Sequence, residues 1–203
     1  MTTTNKNSVR VSTPEARAMW CSIVEPDNKG QYPTGKYKVD LYMKIGDFEE
    51  GKPGYRILEA VTEVASKHYG KQVKFGECAA SIVRVESLPA DQIAKLPEIL
   101  REGYIRIKAK SGYKPGVVDA KRNEMTDTEI GNIGNGDKVV AVLDVYPYSQ
   151  QGGGVAFGLS LIQFIEHKSK SEDFGGARTS GIEMLSDVEV KAESLTGFAG
   201  FLK

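Results

Sequence analysis

The stretch Gly103–Asp119, GYIRIKAKSGYKPGVVD, constrains this chain more than any other. Its first half alternates without a slip. Tyr104, Arg106, Lys108 and Lys110 fall on one side, and Ile105, Ile107 and Ala109 on the other. A β-strand sends successive side chains to opposite faces, so this pattern predicts a strand with one face on a core and the other a basic and aromatic stripe. Such a stripe can follow a polyanion while offering a ring for a base to stack on.

The design recurs. From Lys36 to Ile45, Lys36, Lys38, Asp40, Tyr42 and Lys44 share one face, and Tyr37, Val39, Leu41, Met43 and Ile45 the other. A third strand is expected over Lys138–Tyr148, with Tyr146 and Tyr148 on its polar side, and QQGGG joins it to a partner strand over Val155–His167. Upstream, Val9–Val24 reads as a short strand and a longer one separated at Pro14, and Ile82–Val85 as a short strand.

One clear helix interrupts the strands. Ile57, Leu58, Val61, Val64 and Ala65 recur at helical spacing over about Tyr55–Tyr69, with Gly70 ending it. Pro89–Glu102 reads as one or two short helices, and Ala120–Asp137 as a long polar loop. Several antiparallel strands without a βαβ rhythm predict a mainly β protein: a five-stranded antiparallel barrel of the OB type with an inserted helix.

Composition sets the limits. With 203 residues and 40% hydrophobic content, one well-buried domain with an appendage is feasible. The division expected is a mobile N-terminus over 1–8, a barrel over 9–167 and a flexible tail over 168–203. From Glu172 onward the tail holds six acids against three bases, with Phe198 and Phe201 near its end. It reads equally as a solvated end or as a detachable anion. The whole chain balances 27 Lys and Arg against 27 Asp and Glu, so any attraction for an anion must come from local clustering. No apolar run reaches the roughly 20 residues of a membrane span. Cys21 and Cys78 form no CxxC pair and read as free thiols of a reducing compartment.

Several short patterns carry no chemistry. Gly152–Gly158 lies between two strands, so no helix N-terminus is offered to a pyrophosphate. Gly131, Gly134 and Gly136 lack the Gly-Lys-Ser/Thr ending of a phosphate loop. Ser111 and Lys114 match S-x-x-K without its companion motifs. His68 and His167 stand at no ligand spacing, and no metal or cofactor is expected. Asp119, Glu124, Asp127 and Glu129 gather around the long loop, where solvation competes with a divalent-metal site.

Five segments resemble the OB-fold single-stranded DNA-binding proteins of tailed phages, of the podovirus replication and recombination kind. They are PEARAMWCSIVEP (Pro14–Pro26), GKYKVDLYMK (Gly35–Lys44), GYIRIKAKSGYKPGVVD (Gly103–Asp119), GNGDKVVAVLDVYPYSQ (Gly134–Gln150) and GVAFGLSLIQFIEH (Gly154–His167). The resemblance implies a non-enzymatic protein of the infected host's cytoplasm. It would coat single strands during DNA replication, recombination and repair. By position, the DNA-binding face would draw on Lys36, Lys38, Tyr42, Lys44, Tyr104, Arg106, Lys108, Lys110, Tyr113, Lys114, Tyr146 and Tyr148. A tail carrying Glu183, Asp187, Glu189, Glu193, Phe198 and Phe201 would contact replication proteins such as DNA polymerase. This tail departs from the family's usual strongly acidic end by closing on Phe201-Leu202-Lys203. Two other classes stay open on the residues alone: a metal-dependent nuclease using the loop acids, and a barrel scaffold that binds acidic protein segments. The oligomeric state is also open, a homodimer included.

Overall fold

A computed structural model describes residues 8–28, 33–69, 82–149 and 153–174. Among the described residues eight strands run in the order β1 (Val9–Ser12), β2 (Ala16–Ser22), β3 (Tyr37–Lys44), β4 (Ile82–Arg84), β5 (Tyr104–Ser111), β6 (Gly116–Val118), β7 (Lys138–Tyr148) and β8 (Gly154–Glu166). The helices are α1 (Tyr55–Tyr69), α2 (Ala90–Ile93) and α3 (Asp127–Gly131), with single 3-10 turns at Ile45–Phe48, Val85–Ser87 and Glu98–Leu100.

Five of these strands close on themselves. β2 pairs with β3, β3 with β5, β5 with β8, β8 with β7, and β7 returns to β2. Four of the joints are antiparallel. The fifth, β5 with β8, is parallel, with Ala109 opposite Phe157. Directions that alternate around an odd number of strands must clash once at closure. β1 extends the wall beside β7, β6 beside β8 and β4 beside β5.

The inward sets are those that the alternation marks. Val39, Leu41 and Met43 of β3 meet Ile105, Ile107 and Ala109 of β5 inside the barrel, together with Val139, Ala141, Leu143 and Val145 of β7. Phe157, Leu159 and Ile162 of β8 complete the lining. Helix α1 lays Ile57, Ala60, Val61, Val64 and Ala65 onto the same core and keeps Arg56–Glu59 and Glu63–Lys67 pairs on its outer side. Its entry needs Gly54, because a Cβ there would stand 2.6 Å from the Asp47 carbonyl oxygen.

Two elements fall inside what reads as the long polar loop and the bend before it. β6 pairs in parallel with β8 through Gly116–Leu161, Val117–Ile162 and Val118–Gln163. α3 starts on a capping box: the Thr126 hydroxyl accepts from the Glu129 N–H, and the Glu129 carboxylate accepts from the Thr126 N–H.

After β8 ends at Glu166 the described chain continues against the barrel. Residues 168–174, assigned to the tail on composition, pack back onto the wall. Glu172 pairs with Arg17 at 2.5 Å, and the Lys168 N–H donates to Asp137 at 2.9 Å. Phe174 is buried beneath Arg17, whose guanidinium lies 5.3 Å from the ring centre. Residues 1–7, Gly70, Cys78 and the whole run 175–203, which carries Glu183, Asp187, Glu189, Glu193, Phe198 and Phe201, lie outside the described residues.

Candidate nucleic-acid interface

The two basic strands are neighbours. β3 and β5 pair over eight consecutive positions without a bulge, from Tyr37–Ser111 to Lys44–Tyr104. Residues directly opposite in a ladder project to the same face. The outward pairs are therefore Lys38–Lys110, Asp40–Lys108, Tyr42–Arg106 and Lys44–Tyr104. A stripe that each strand carries singly becomes one patch two strands wide.

The patch is partly roofed. The segment Val85–Leu100, holding α2 and two 3-10 turns, folds over its centre. Val85, Leu88, Leu96 and Leu100 form a second, smaller core with Met19, Tyr42 and Phe174. This roof changes the standing of two residues assigned to an open face. Tyr42 has no exposure and Arg106 only 7%. Alternation locates the side of the sheet on which a residue lies, not what a distant segment lays over that side. Burial first, then the Asp40 charge, pushes the Tyr42 hydroxyl up, against the opposing pull of Arg106.

Beside the roof the patch opens into a cleft of about 350 Å³. Its floor is Lys38, Asp40, Arg106, Lys108 and Lys110; α2 and the turn after it supply Gln92, Lys95 and Leu96, and Trp20 and Thr34 complete the lining. Five cations thus face one acid in a chain with no net charge. Lys38 leans to Asp27 at 2.7 Å, and Gln92 accepts from Arg106 at 3.4 Å. Burial holds the Lys108 ammonium below its usual value, with Arg106, Lys110 and Lys38 adding to the effect and Asp40 opposing it. Burial raises the Asp40 carboxyl in spite of the four cations around it.

Sequence reasoning left several cleft residues out of the site, Asp40 and Lys95 among them, and above all Trp20. It is 40% exposed and contacts Tyr42 edge-on at 6.2 Å between ring centres. Its backbone has φ 50, a left-handed conformation rare for a bulky residue, at the bulge where the β2–β3 register shifts between Met19 and Ser22. The loop Gly134–Asp137 holds it there. The Asn135 side chain accepts from the Trp20 N–H at 2.7 Å, and the Gly136 N–H donates to the Ala18 carbonyl at 2.8 Å. Gly136 itself has φ 91, and a Cβ on it would strike the Phe174 ring at 2.3 Å. One turn therefore fixes both Trp20 and the chain returning from β8. A usable signal existed: Trp20 is the single tryptophan of the chain, on a strand next to a basic one.

The other assigned residues scatter. Lys36 is exposed just ahead of β3, and Lys44 is exposed at the far end of the ladder, while Tyr104 packs against the roof. Tyr113 stands 84% exposed on the bend after β5, and Lys114 beside it pairs with Asp127 at 2.5 Å. Tyr146 and Tyr148 do not join the patch. β7 neighbours β1, β2 and β8, so a barrel strand separates it from β3 on one side and from β5 on the other. The Tyr148 carbonyl instead accepts from the Tyr69 hydroxyl at 2.7 Å.

Three of the four loop acids are occupied in shaping the loop. Asp119 accepts from the Lys121 and Asn123 N–H groups, each at 2.8 Å, and the Asn123 side-chain and backbone hydrogen bonds hold its carboxyl below the usual range. Glu129 serves the capping box and Asp127 the Lys114 pair. Among the described residues no group of three or more His, Cys, Asp and Glu side chains is placed to hold a metal ion, and no helix is long and apolar enough to cross a membrane.

A closed five-stranded barrel with a cationic cleft across its second and third barrel strands is an OB-fold, with the face that this fold uses for oligonucleotides. The family profile described as the Enterobacter phage Enc34 ssDNA-binding protein matches residues 9–194, and the chain belongs to that family. The fold is that of the solved single-stranded DNA-binding protein of bacteriophage Enc34, both truncated at its C-terminus and in complex with ssDNA. Each of these matches has a TM-score of 0.61 at 20% identity, over 80% of this chain and 88% of that one. The single-stranded DNA-binding protein gp2.5 of bacteriophage T7 matches with a TM-score of 0.52 at 20% identity, over 91% of this chain and 97% of the other. No curated protein matches by sequence.

Proposed function

We propose that this protein binds single-stranded DNA independently of sequence, along the cleft between the β3–β5 ladder and the α2 segment. The observation that carries this reading is the cleft itself: Lys38, Lys95, Lys108 and Lys110 line it together with Trp20. The ammonium groups neutralise phosphates and the indole stacks a base. Lys36 and Tyr113, exposed beyond one end of the ladder, and Lys44, exposed at the other, extend the track. Tyr42 and Arg106 act from beneath, by supporting the floor. Family membership and the ssDNA complex of the Enc34 protein support the same reading.

In this reading the protein is not an enzyme. It protects and organises DNA in the cytoplasm of the infected host during phage replication, recombination and repair. Contact with phage replication proteins, DNA polymerase among them, falls to the segment carrying Glu183, Asp187, Glu189, Glu193, Phe198 and Phe201. The test is a titration of the intrinsic tryptophan fluorescence with oligo-dT at two salt concentrations. Log affinity should fall against log salt by about 0.7 for each phosphate neutralised. Absence of binding at low salt overturns the proposal.

A further inference from the structure

The cleft holds one group that a purely electrostatic track does not need. Asp40 sits in the middle of its floor, opposite Lys108 and two ladder positions from the Lys38–Lys110 pair. It is 91% removed from solvent by its 9% exposure, and it lines the cleft. Among the described residues its side chain takes part in no hydrogen bond and no ion pair, although Lys108, Arg106, Lys38 and Lys110 all act on it through space. An acid in that position weakens phosphate binding and is costly to bury, and the surrounding cations hold it without consuming its lone pairs. Those lone pairs face the cleft that Trp20 also lines.

We propose that Asp40 reads the edge of the base stacked in the cleft: its carboxylate accepts a hydrogen bond from an exocyclic amino group. This rests on the single-stranded DNA reading above and adds a modest base preference, on the scale of a few-fold, to a cleft that still accepts every sequence. A carboxylate is acceptor-only, so it suits the N4 amino group of cytosine or the N6 amino group of adenine. At the same position uracil and thymine present the O4 carbonyl, which repels a carboxylate, and the single donor of that edge is their neighbouring N3–H. The cleft therefore tolerates every base on its ring face and discriminates at its edge. Lys and Arg contacts to phosphate carry no such information.

Oligo-dC and oligo-dU of equal length provide the test, since the two bases differ only in the amino or carbonyl group at position 4 and the protonation of the adjacent ring nitrogen. The wild-type protein should bind oligo-dC about fivefold more tightly, the scale of one contact from a charged acceptor to cytosine N4. Asp40→Asn, which can both accept and donate, should bind both oligonucleotides more tightly and bring the ratio to about one. Asp40→Glu, which keeps the carboxylate, should retain a preference for oligo-dC. Equal wild-type affinities overturn the proposal, and so does a ratio unchanged in Asp40→Asn. In the latter case Asp40 acts only as a counter-charge. Failure to bind either oligonucleotide sinks the single-stranded DNA reading itself, whereas tight binding of both without preference sinks only the role of Asp40. Thermal melting of each variant separates lost binding from lost folding.

Discussion

Tyr42 of β3 and Arg106 of β5 stand opposite each other in the ladder, and each buries a polar atom that reaches no hydrogen-bond partner, the Tyr42 hydroxyl oxygen and Arg106 Nε. Leaving a buried donor or acceptor unmade costs about 1–3 kcal/mol. Tyr42→Phe removes one of the two and keeps the ring that packs with Leu88, Leu96 and Leu100. Urea unfolding should show the variant equal to the wild type or more stable by about 1 kcal/mol. Its affinity for single-stranded DNA should not change, because the hydroxyl does not reach the cleft. A large loss of affinity would place Tyr42 in contact with DNA and require the α2 segment to lift.

Trp20 should carry the stacking. Trp20→Ala should weaken binding of oligo-dT by about 1–3 kcal/mol, read by anisotropy of a labelled oligonucleotide. The side chain is 40% exposed and the alanine keeps the same backbone, so the melting temperature should move little. In the wild type, DNA should quench the emission of this single tryptophan.

The lysines should separate from the tryptophan in their salt dependence. Replacing Lys38, Lys108 and Lys110 together by alanine should reduce the slope of log affinity against log salt by about 2, three phosphates at about 0.7 each. Trp20→Ala should leave that slope unchanged. If the triple variant keeps the wild-type slope, the ladder is not the phosphate track.

Asp40 also predicts a pH dependence of stability. Burial raises its carboxyl above the ordinary 3.8, with Lys108, Arg106, Lys38 and Lys110 opposing the rise. The folded protein therefore holds this proton more tightly than the unfolded chain. The stabilisation this provides is complete below pH 3.8 and is lost as pH rises through the raised value. At neutral pH the buried charge is a cost. Asp40→Asn should then raise the urea midpoint at about pH 7 and change it little at about pH 3. A lower midpoint at neutral pH would mean that the four cations outweigh the desolvation.

The barrel was legible where the signal is local. Period-two alternation marks the inward residues of β3, β5 and β7, and helical spacing marks α1, because each pattern depends only on neighbours in sequence. The short α3 was equally readable from Thr126-x-x-Glu129 ahead of Ile130, but the polar composition of the loop masked it. The roof over Tyr42 and Arg106 was not legible, since it depends on Leu88, Leu96 and Leu100 arriving from a segment whose own sequence says only that it turns. Trp20 escaped because the bulge after Met19 breaks the alternation that would have pointed to it. Residues 168–174 escaped because a composition shift averages over a window, and a single Phe174 among polar residues does not move the average.

The placement of Phe174 matters for anyone who labels or immobilises this protein. The ring is seated in the same small core as Leu96, which also lines the cleft. Phe174, the last described residue, thus stands beside the cleft. A fluorophore, affinity tag or surface linker attached close behind Phe174 would start beside the groove whose occupancy it is meant to report, so an assay of oligonucleotide binding is better served by a tether ahead of β1.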